Sequence, residues 1–251
     1  MEMMIYAVLS AEKDPEKFNA LMVGVKGIEG ADLYSVSCKE ITAVISDLNH
    51  ASLIADRSNA IEYAGVVETL AQDYSLLPMR FGSRMDSTDA VVRMLEKNHD
   101  EFRKNLQIVE GKWEFGLKIF CDSEKLKAEL RAKPEADYKA QDGLASEVKN
   151  SVFRDYVNKK LKEHRFEELL VSYVESVIAE ITGNLERMNA VSKFKKLSSA
   201  TMIIDAVFLL ENGKRGELIQ TVQDLQAKYP GLTFVLTGPW PPYNFVEISI
   251  K

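Results

Sequence analysis

The chain has 251 residues and a formal net charge of −6 at pH 7, and 46% of its residues are hydrophobic and 28% charged. This composition is typical of a folded globular protein and excludes a disordered chain. The acidic total also argues against nucleic acid as a partner, because phosphate binding needs a basic face.

The first residues predict strand, helix and hairpin. Only a short apolar run occurs there and charges interrupt it, so we expect a cytoplasmic protein that binds no lipid membrane, without a secretory signal or a span of about 20 apolar residues. Residues 4–10 predict a strand, and Asp14 followed by Pro15 predicts the start of a helix. Residues 31–38 and 41–48 alternate apolar and polar side chains, which predicts a β-hairpin.

A second helix and a short extended stretch follow. Apolar residues, among them Ile61, Val67 and Leu70, recur at helical spacing over 58–74, and Pro78 favours extended backbone just before it. The order β-α-β-β-α-β is that of a ferredoxin-like module, in which helices cover one face of an antiparallel sheet. A further helix, capped by Asp86, is expected to end near Gly111. Its apolar residues lie on one side at helical spacing: Val91, Leu95, Phe102, Leu106 and Val109. We therefore predict an N-terminal α+β domain at residues 1–110.

Residues 111–251 predict a second α+β domain. Residues 112–121 alternate as a half-buried strand, 123–134 predict a short helix, and a helical pattern runs from about 145 to 189. The remaining predicted elements are a strand, a helix and two strands, at 200–211, 213–231, 232–238 and 243–250. This order indicates a modified ferredoxin-like module with a long helical insertion.

The sequence contains no assembled catalytic or metal-binding motif. Patterns such as HExxH, GxSxG and GxxxxGK[ST] are absent. His50, His99 and His164 are scattered, with no second ligand at helical spacing, which is more typical of surface or helix-face residues. Cys38 and Cys121 lie far apart and are expected to be small buried residues. We expect no catalytic residue, metal or cofactor.

Two further stretches have weaker signals. The glycines of residues 24–30 follow an apparent helix instead of joining a strand to a helix, so we interpret them as a turn and not as a phosphate loop. The basic cluster at residues 193–197 is either a solvated linker or a contact site for an acidic partner.

The segment LLPMRFGS, residues 76–83, is called here the arginine segment. In a strand, Arg80 would lie on the face opposite Met79 and Phe81. Its guanidinium either pairs with a carboxylate while the stem packs, or it anchors an interface between the two modules or with a partner. Gly82 would free the turn that follows.

The segment LTGPWPPYNFV, residues 236–246, is called here the proline segment. Gly238 can take a positive φ, and rigid prolines reduce the entropy lost on ordering. Trp240 and Tyr243 flank this stiff stretch. The segment is therefore either a structural crossover with Trp240 packed into its own domain, or a binding edge with exposed aromatic side chains.

A third segment, GKWEFGLKIF at residues 111–120, is called here the glutamate segment. In identity, order and spacing, the three segments resemble those of the gas vesicle protein F/L family, and the resemblance extends across essentially the full chain. The resemblance implies a two-domain α+β protein that takes part in gas vesicle formation. It implies binding to the small hydrophobic gas vesicle shell protein and to other accessory gas vesicle proteins, without catalysis or cofactor.

The residues that match become candidate protein-binding or family-motif positions. In the arginine segment they are Leu77, Pro78, Arg80, Phe81 and Gly82, and in the glutamate segment Trp113, Glu114, Gly116 and Lys118. In the proline segment they are Gly238, Pro239, Trp240, Pro241, Pro242, Tyr243 and Phe245. The alternative function is a small-molecule-binding or enzymatic protein, since a ferredoxin-like fold hosts many activities.

Overall fold

The computed structural model describes residues 2–10, 15–48, 57–122, 175–195 and 201–246. The chain divides into two compact units. The first holds the described residues within Met1–Phe115, Val207–Arg215 and Thr237–Lys251, and the second those within Gly116–Ala206 and Gly216–Leu236. The domain boundary near residue 110 remains a prediction.

The first unit contains a sheet and four helices. Its strands are β1 (Met3–Ser10), β2 (Leu33–Cys38), β3 (Ile41–Asp47), β4 (Leu76–Pro78) and β5 (Arg84–Met85). The order is β2-β3-β1-β4, β5 also pairs with β1, and the pairings are antiparallel. The helices are α1 (Pro15–Gly24), α2 (Arg57–Asp73), α3 (Thr88–Lys97) and α4 (His99–Val109). The predicted order of strands and helices up to β4 is confirmed.

Helices cover both faces of this sheet, whereas the sequence predicted one. Ile41 and Ile45 of β3 belong to an apolar cluster that includes side chains of α3 and α4, such as Leu95. Val44 of β3 belongs to a second cluster with side chains of α1 and α2, such as Val67. The continuous burial of β3 follows from this arrangement, since a strand covered on both faces needs no polar side.

The helix predicted to begin at Asp86 is two helices. The N-cap of α3 is Ser87, whose Oγ accepts a hydrogen bond of 3.2 Å from the backbone N–H of Ala90. Asn98 separates α3 from α4. The predicted apolar side is confirmed, because all five of its residues are buried: Val91, Leu95, Phe102, Leu106 and Val109.

A second sheet has the order β7-β8-β6-β9. Its strands are β6 (Lys112–Cys121), β7 (Val191–Phe194), β8 (Met202–Glu211) and β9 (Leu232–Trp240). Residues 175–187 are helical (α5), and α6 spans Arg215–Lys228 after a short 3₁₀ turn. In the second unit, Glu180 of α5 accepts hydrogen bonds from Lys228 Nζ at 2.7 Å and from the Tyr229 hydroxyl at 2.5 Å.

Two predictions for this half change. Lys193 and Phe194 of the basic cluster lie in β7 and not in a linker, while the alternative, a contact site for an acidic partner, stays a prediction. The strand predicted from Tyr243 begins instead as a turn through Phe245. The predicted 123–134 helix, the start of the long helix, Asp14, His50 and His164 lie outside the described residues.

The α+β class is confirmed, with two antiparallel sheets. The ferredoxin-like description of the two domains remains a prediction. Within the described ranges, no helix has both the length and the apolar character that crossing a membrane requires.

Candidate functional site

The arginine segment is a loop built into the edge of the first sheet. β4 and β5 both pair with β1, and residues 79–83 leave the sheet between them. The loop is held at both ends, because Met79 N–H donates to the Tyr6 carbonyl at 2.9 Å and Ile5 N–H donates to the Ser83 carbonyl at 3.0 Å. Such an interruption prevents a continuous edge strand from pairing with another chain.

Arg80 and Phe81 project differently from this loop. Arg80 is exposed, and its guanidinium makes no ion pair with any other residue that the structure describes. Phe81 is half-buried, with its ring centroid 5.5 Å from that of Tyr63 on α2. Gly82 has φ +87°, in the region that favours glycine, as predicted for the turn. The loop therefore presents a cation on a backbone fixed by Phe81.

Tyr63 of α2 holds the backbone of the arginine segment. Its buried hydroxyl donates to the carbonyl oxygen of Met79 and, at 3.2 Å, to that of Tyr6. Burial raises the pKa of Tyr63, and the nearby phenols of Tyr243 and Tyr6 raise it further.

The proline segment includes the last residues of β9 and the turn that follows them. Gly238 has φ +103°, which confirms the predicted positive φ, and the Gly238–Pro239 peptide bond is cis. A Cβ added at Gly238 would lie 2.7 Å from the Glu114 carbonyl oxygen, so only glycine fits there. Backbone hydrogen bonds from Tyr243 to Pro241 (2.7 Å) and from Phe245 to Pro242 (3.1 Å) then close two small turns.

Glu114 holds the far end of this turn. Glu114 is 3% exposed, and its Oε2 accepts a hydrogen bond of 2.7 Å from the backbone N–H of Asn244. Oε1 accepts a second hydrogen bond, from the Asn244 side-chain amide. Hydrogen bonds to an ionised acceptor are stronger than neutral ones, so the carboxylate fixes the loop firmly.

The proline segment divides into buried and exposed side chains. Phe245 is 6% exposed and lies in the same apolar cluster as Leu209 of β8, and Pro241 and Pro242 are buried. Trp240 is 42% exposed and Tyr243 is 38% exposed. The buried residues thus fix the segment, while its two largest exposed side chains face solvent.

The pKa of Tyr243 is high for a side chain that is 38% exposed. Partial burial raises the pKa of Tyr243 to about 12, and the charges of Glu68 and Glu114 contribute in the same direction. Tyr243 therefore stays a neutral phenol throughout the physiological range and can donate a hydrogen bond to a partner.

A cavity of about 150 Å³ in the first unit brings the glutamate and proline segments together. Its apolar walls include Tyr74, Leu76, Trp113, Pro241 and Pro242. Trp113 is half-buried at this place. Polar residues, among them Asp73, Lys112 and Asn212, line the rest of it.

The other matching positions of the glutamate segment lie elsewhere. Gly116 is half-buried in β6, in the second unit. Lys118, on the same strand, has its Nζ 3.8 Å from Asp205 of β8. The structure therefore brings Trp113 and Glu114 to the proline segment but assigns Gly116 and Lys118 to the sheet of the second unit.

His99 is buried at the first residue of α4, with Nε2 3.2 Å from Glu40 Oε2. Arg103 Nη1 lies 3.6 Å from the other oxygen of this carboxylate. A hydrogen bond from its own backbone N–H, with contributions from His99 and Arg103, lowers the pKa of Glu40.

In the described part of the chain, no three His, Cys, Asp or Glu side chains gather as metal ligands would. Cys38 and Cys121 are buried, as expected.

Two residues of the site, Tyr63 and Asn244, were not predicted from the sequence. Tyr63 belongs to a set at i, i+3, i+4 and i+7 with Val66, Val67 and Leu70, all buried, so a strict helical template would have identified it. Asn244 carries no signal, because an asparagine between two aromatic residues is ordinary in a turn.

Comparison with known proteins places this architecture. The family model for "Gas vesicle synthesis protein GvpL/GvpF" matches residues 3–247. Gas vesicle protein F1 of Halobacterium salinarum is 23% identical over 234 residues, which cover 92% of this chain and 89% of that protein. Gas vesicle protein L of a Streptomyces species is 23% identical over 203 residues, which cover 78% of this chain and 71% of that protein.

Two crystal structures share the fold. GvpF from Anabaena sp. PCC7120 has a TM-score of 0.75 at 22% identity, with 99% of this chain and 97% of that chain covered. GvpF from Microcystis aeruginosa has a TM-score of 0.73 at 17% identity, with coverage of 98% and 99%. The family match over nearly the whole sequence, together with this shared fold, shows that the chain belongs to the GvpL/GvpF family of gas vesicle proteins.

Proposed function

We propose that this chain is a non-enzymatic assembly or minor structural protein of gas vesicles, which binds the small hydrophobic shell protein and other accessory vesicle proteins during vesicle formation. It would act in the cytoplasm and at the gas vesicle. Family membership supports a role connected with gas vesicles. The observation that carries the binding role is the exposure of Trp240 and Tyr243 on a backbone fixed at both ends.

The physical need for such a partner is clear. A small hydrophobic subunit released alone would aggregate through its apolar surface. A protein that binds the free subunit reversibly stabilises it by mass action and lowers the concentration available for aggregation. We propose that the chain captures the subunit on an edge strand or a hydrophobic groove and then releases it to the growing vesicle wall.

The proline and arginine segments have the chemistry of protein contacts. Tryptophan, tyrosine and arginine are the residue types that most often dominate binding energy at protein interfaces. Trp240 and Tyr243 are exposed beside rigid prolines, and Arg80 is exposed on its own fixed loop. Little ordering is therefore needed when these side chains bind a partner.

The test is co-purification of the tagged protein with co-expressed gas vesicle proteins. Wild type is compared with Trp240→Ala and Arg80→Ala, each checked for unchanged folded stability. The matched control is Val23→Ala on α1, because Val23 is an apolar side chain that is 77% exposed and outside all three segments. We expect the shell protein to accompany wild type and the control and to be lost with Trp240→Ala.

Two results would contradict the proposal at different levels. Recovery of the shell protein with both folded variants would remove the proline and arginine segments from the contact surface. Failure of wild type to recover any vesicle protein, combined with normal vesicles after deletion, would remove the assembly role itself.

A small-molecule-binding or enzymatic protein is the second candidate. A cavity of about 340 Å³ in the first unit is lined by polar groups that include Glu40, Arg103 and Glu110. Ligand sites begin at roughly 300 Å³, so the volume permits a small ligand. A thermal-shift screen of metabolites and nucleotides tests this: stabilisation at micromolar ligand that is lost in Arg103→Ala would favour it, and no stabilisation would count against it.

A further inference from the structure

Glu114 contacts the proline segment at two places that flank its exposed aromatic residues. The Glu114 carbonyl oxygen leaves no room for a side chain at Gly238, and its carboxylate accepts both hydrogen bonds from Asn244. Trp240 and Tyr243 lie between those two places in the chain. One residue of β6 therefore determines where the exposed stretch begins and where it ends.

Packing within the sheet alone would not favour a buried carboxylate at this position of β6. Glu114 is buried between Trp113 and Phe115 on a strand, and removing a charge from water is unfavourable unless hydrogen-bond donors replace the water. The turn at Asn244 supplies two such donors. Because the carboxylate is satisfied when the turn is closed, the buried charge selects the closed conformation.

We propose that Glu114 is a positioning residue, which pre-organises Trp240 and Tyr243 as a docking surface for the shell protein. This inference rests on the proposed function and names the residue that prepares its contact surface. Glu114 is buried and does not touch the partner. It acts by removing the ordering cost of the loop before binding, which is the general route by which pre-organisation increases affinity.

A donor–acceptor exchange tests the proposal. Glu114→Gln removes the ionised acceptor, and the Asn244 amide can pair with the glutamine N–H₂ only after it rotates to present its Oδ1, so both contacts become weaker neutral hydrogen bonds. The double variant Glu114→Gln/Asn244→Asp restores an ionised acceptor, because the glutamine amide donates to the aspartate while its oxygen accepts from the backbone N–H of residue 244. In the double variant the negative charge lies on residue 244 instead of residue 114, and the net charge of the protein equals that of wild type.

Recovery of co-expressed shell protein per folded tagged protein is the main measurement. We expect Glu114→Gln to reduce it by about tenfold, the change that corresponds to 1.4 kcal/mol, and the double variant to restore it to near wild type. If Glu114→Gln does not fold, Asn244→Ala replaces it, since it removes only the side-chain donor and keeps the backbone hydrogen bond to Glu114.

A second measurement follows the loop in the free protein. Hydrogen exchange at the backbone amide of residue 244 reports whether the loop is ordered. Fluorescence anisotropy of Trp240 reports the same, in a Trp113→Phe background in which Trp240 is the one remaining tryptophan. We expect faster exchange and lower anisotropy in Glu114→Gln and recovery of both in the double variant. A purely stabilising residue would change global unfolding but would leave the loop of the folded molecules ordered.

The outcomes separate this inference from the proposed function. If Trp240→Ala loses the shell protein while Glu114→Gln binds it like wild type, the positioning role is wrong and the proposed function stands. If Trp240→Ala and Tyr243→Ala both bind like wild type, the docking surface proposed for this loop is wrong. Loss of binding in Glu114→Gln that the double variant fails to restore also contradicts the positioning role.

Discussion

The buried Tyr63 hydroxyl donates a hydrogen bond to the carbonyl oxygen of Met79. This contact joins α2 to the backbone that carries the exposed Arg80, and the ring of Tyr63 also packs on Phe81. The conformation of the arginine loop therefore depends on a helix residue that precedes it by 16 positions.

Tyr63→Phe tests this dependence. The variant keeps the ring but removes the donor, so a buried carbonyl loses a hydrogen bond, and we expect unfolding in urea to become easier by about 1–3 kcal/mol. Tyr243→Phe at neutral pH is the control, because its side chain is partly exposed and water can replace its contacts. A change below about 0.5 kcal/mol for Tyr63→Phe would mean that the hydroxyl does not hold the loop.

Gly238→Ala and Gly82→Ala separate steric exclusion from backbone strain. Both glycines have positive φ, but an alanine Cβ meets the Glu114 carbonyl only at Gly238 and meets no atom within 4 Å at Gly82. We expect a loss of about 1–2 kcal/mol for Gly82→Ala, the cost of left-handed backbone, and a clearly larger loss for Gly238→Ala. Equal losses, measured by chemical denaturation, would contradict the contact with Glu114.

Phe245→Ala and Trp240→Ala contrast a buried and an exposed aromatic residue of one segment. Phe245 fills the apolar cluster beside Leu209, so its truncation should cost about 3–5 kcal/mol. Trp240 is 42% exposed, and its truncation should change stability by roughly 0.5 kcal/mol or less. A large loss for Trp240→Ala would show that this side chain supports the fold, and binding experiments with that variant would need a milder substitution.

Alkaline pH should weaken the first unit through Tyr243. Its folded pKa of about 12 lies above the unfolded value of about 10, so the unfolded state loses its proton first. The stabilisation that Tyr243 contributes is fully present below pH 10 and is lost as the pH rises towards 12. Stability measured at several pH values should fall less steeply in Tyr243→Phe than in wild type, and identical slopes would contradict the shifted pKa.

Much of the first unit follows from sequence periodicity. The strand β1, the hairpin of β2 and β3, and the buried side of α3 and α4 were predicted because alternation and helical spacing report burial directly. On α2 the same reasoning included Ile61 in the apolar pattern, yet this residue is 61% exposed. Tyr63 is buried there instead, since its hydroxyl finds backbone acceptors in β1 and at the start of the arginine loop.

The environment of Glu114 could not be predicted in this way. In β6, alternation separates Phe115, Leu117 and Ile119 from their polar neighbours and so predicts an exposed Glu114. The structure buries it because Asn244, 130 positions later in the chain, brings donors to its carboxylate. A periodic pattern contains no information about which distant loop will cover a strand.

The first unit is assembled from separate stretches of chain. Phe245 and Leu209 share one apolar cluster with Val8, although they follow it in sequence by about 200 residues. A ribosome that has released only residues 1–115 has therefore not yet supplied all the side chains of this core. Until β8 and the proline segment emerge, the apolar surface that they will cover stays open, and a nascent chain of this protein is itself a candidate for protection by a chaperone.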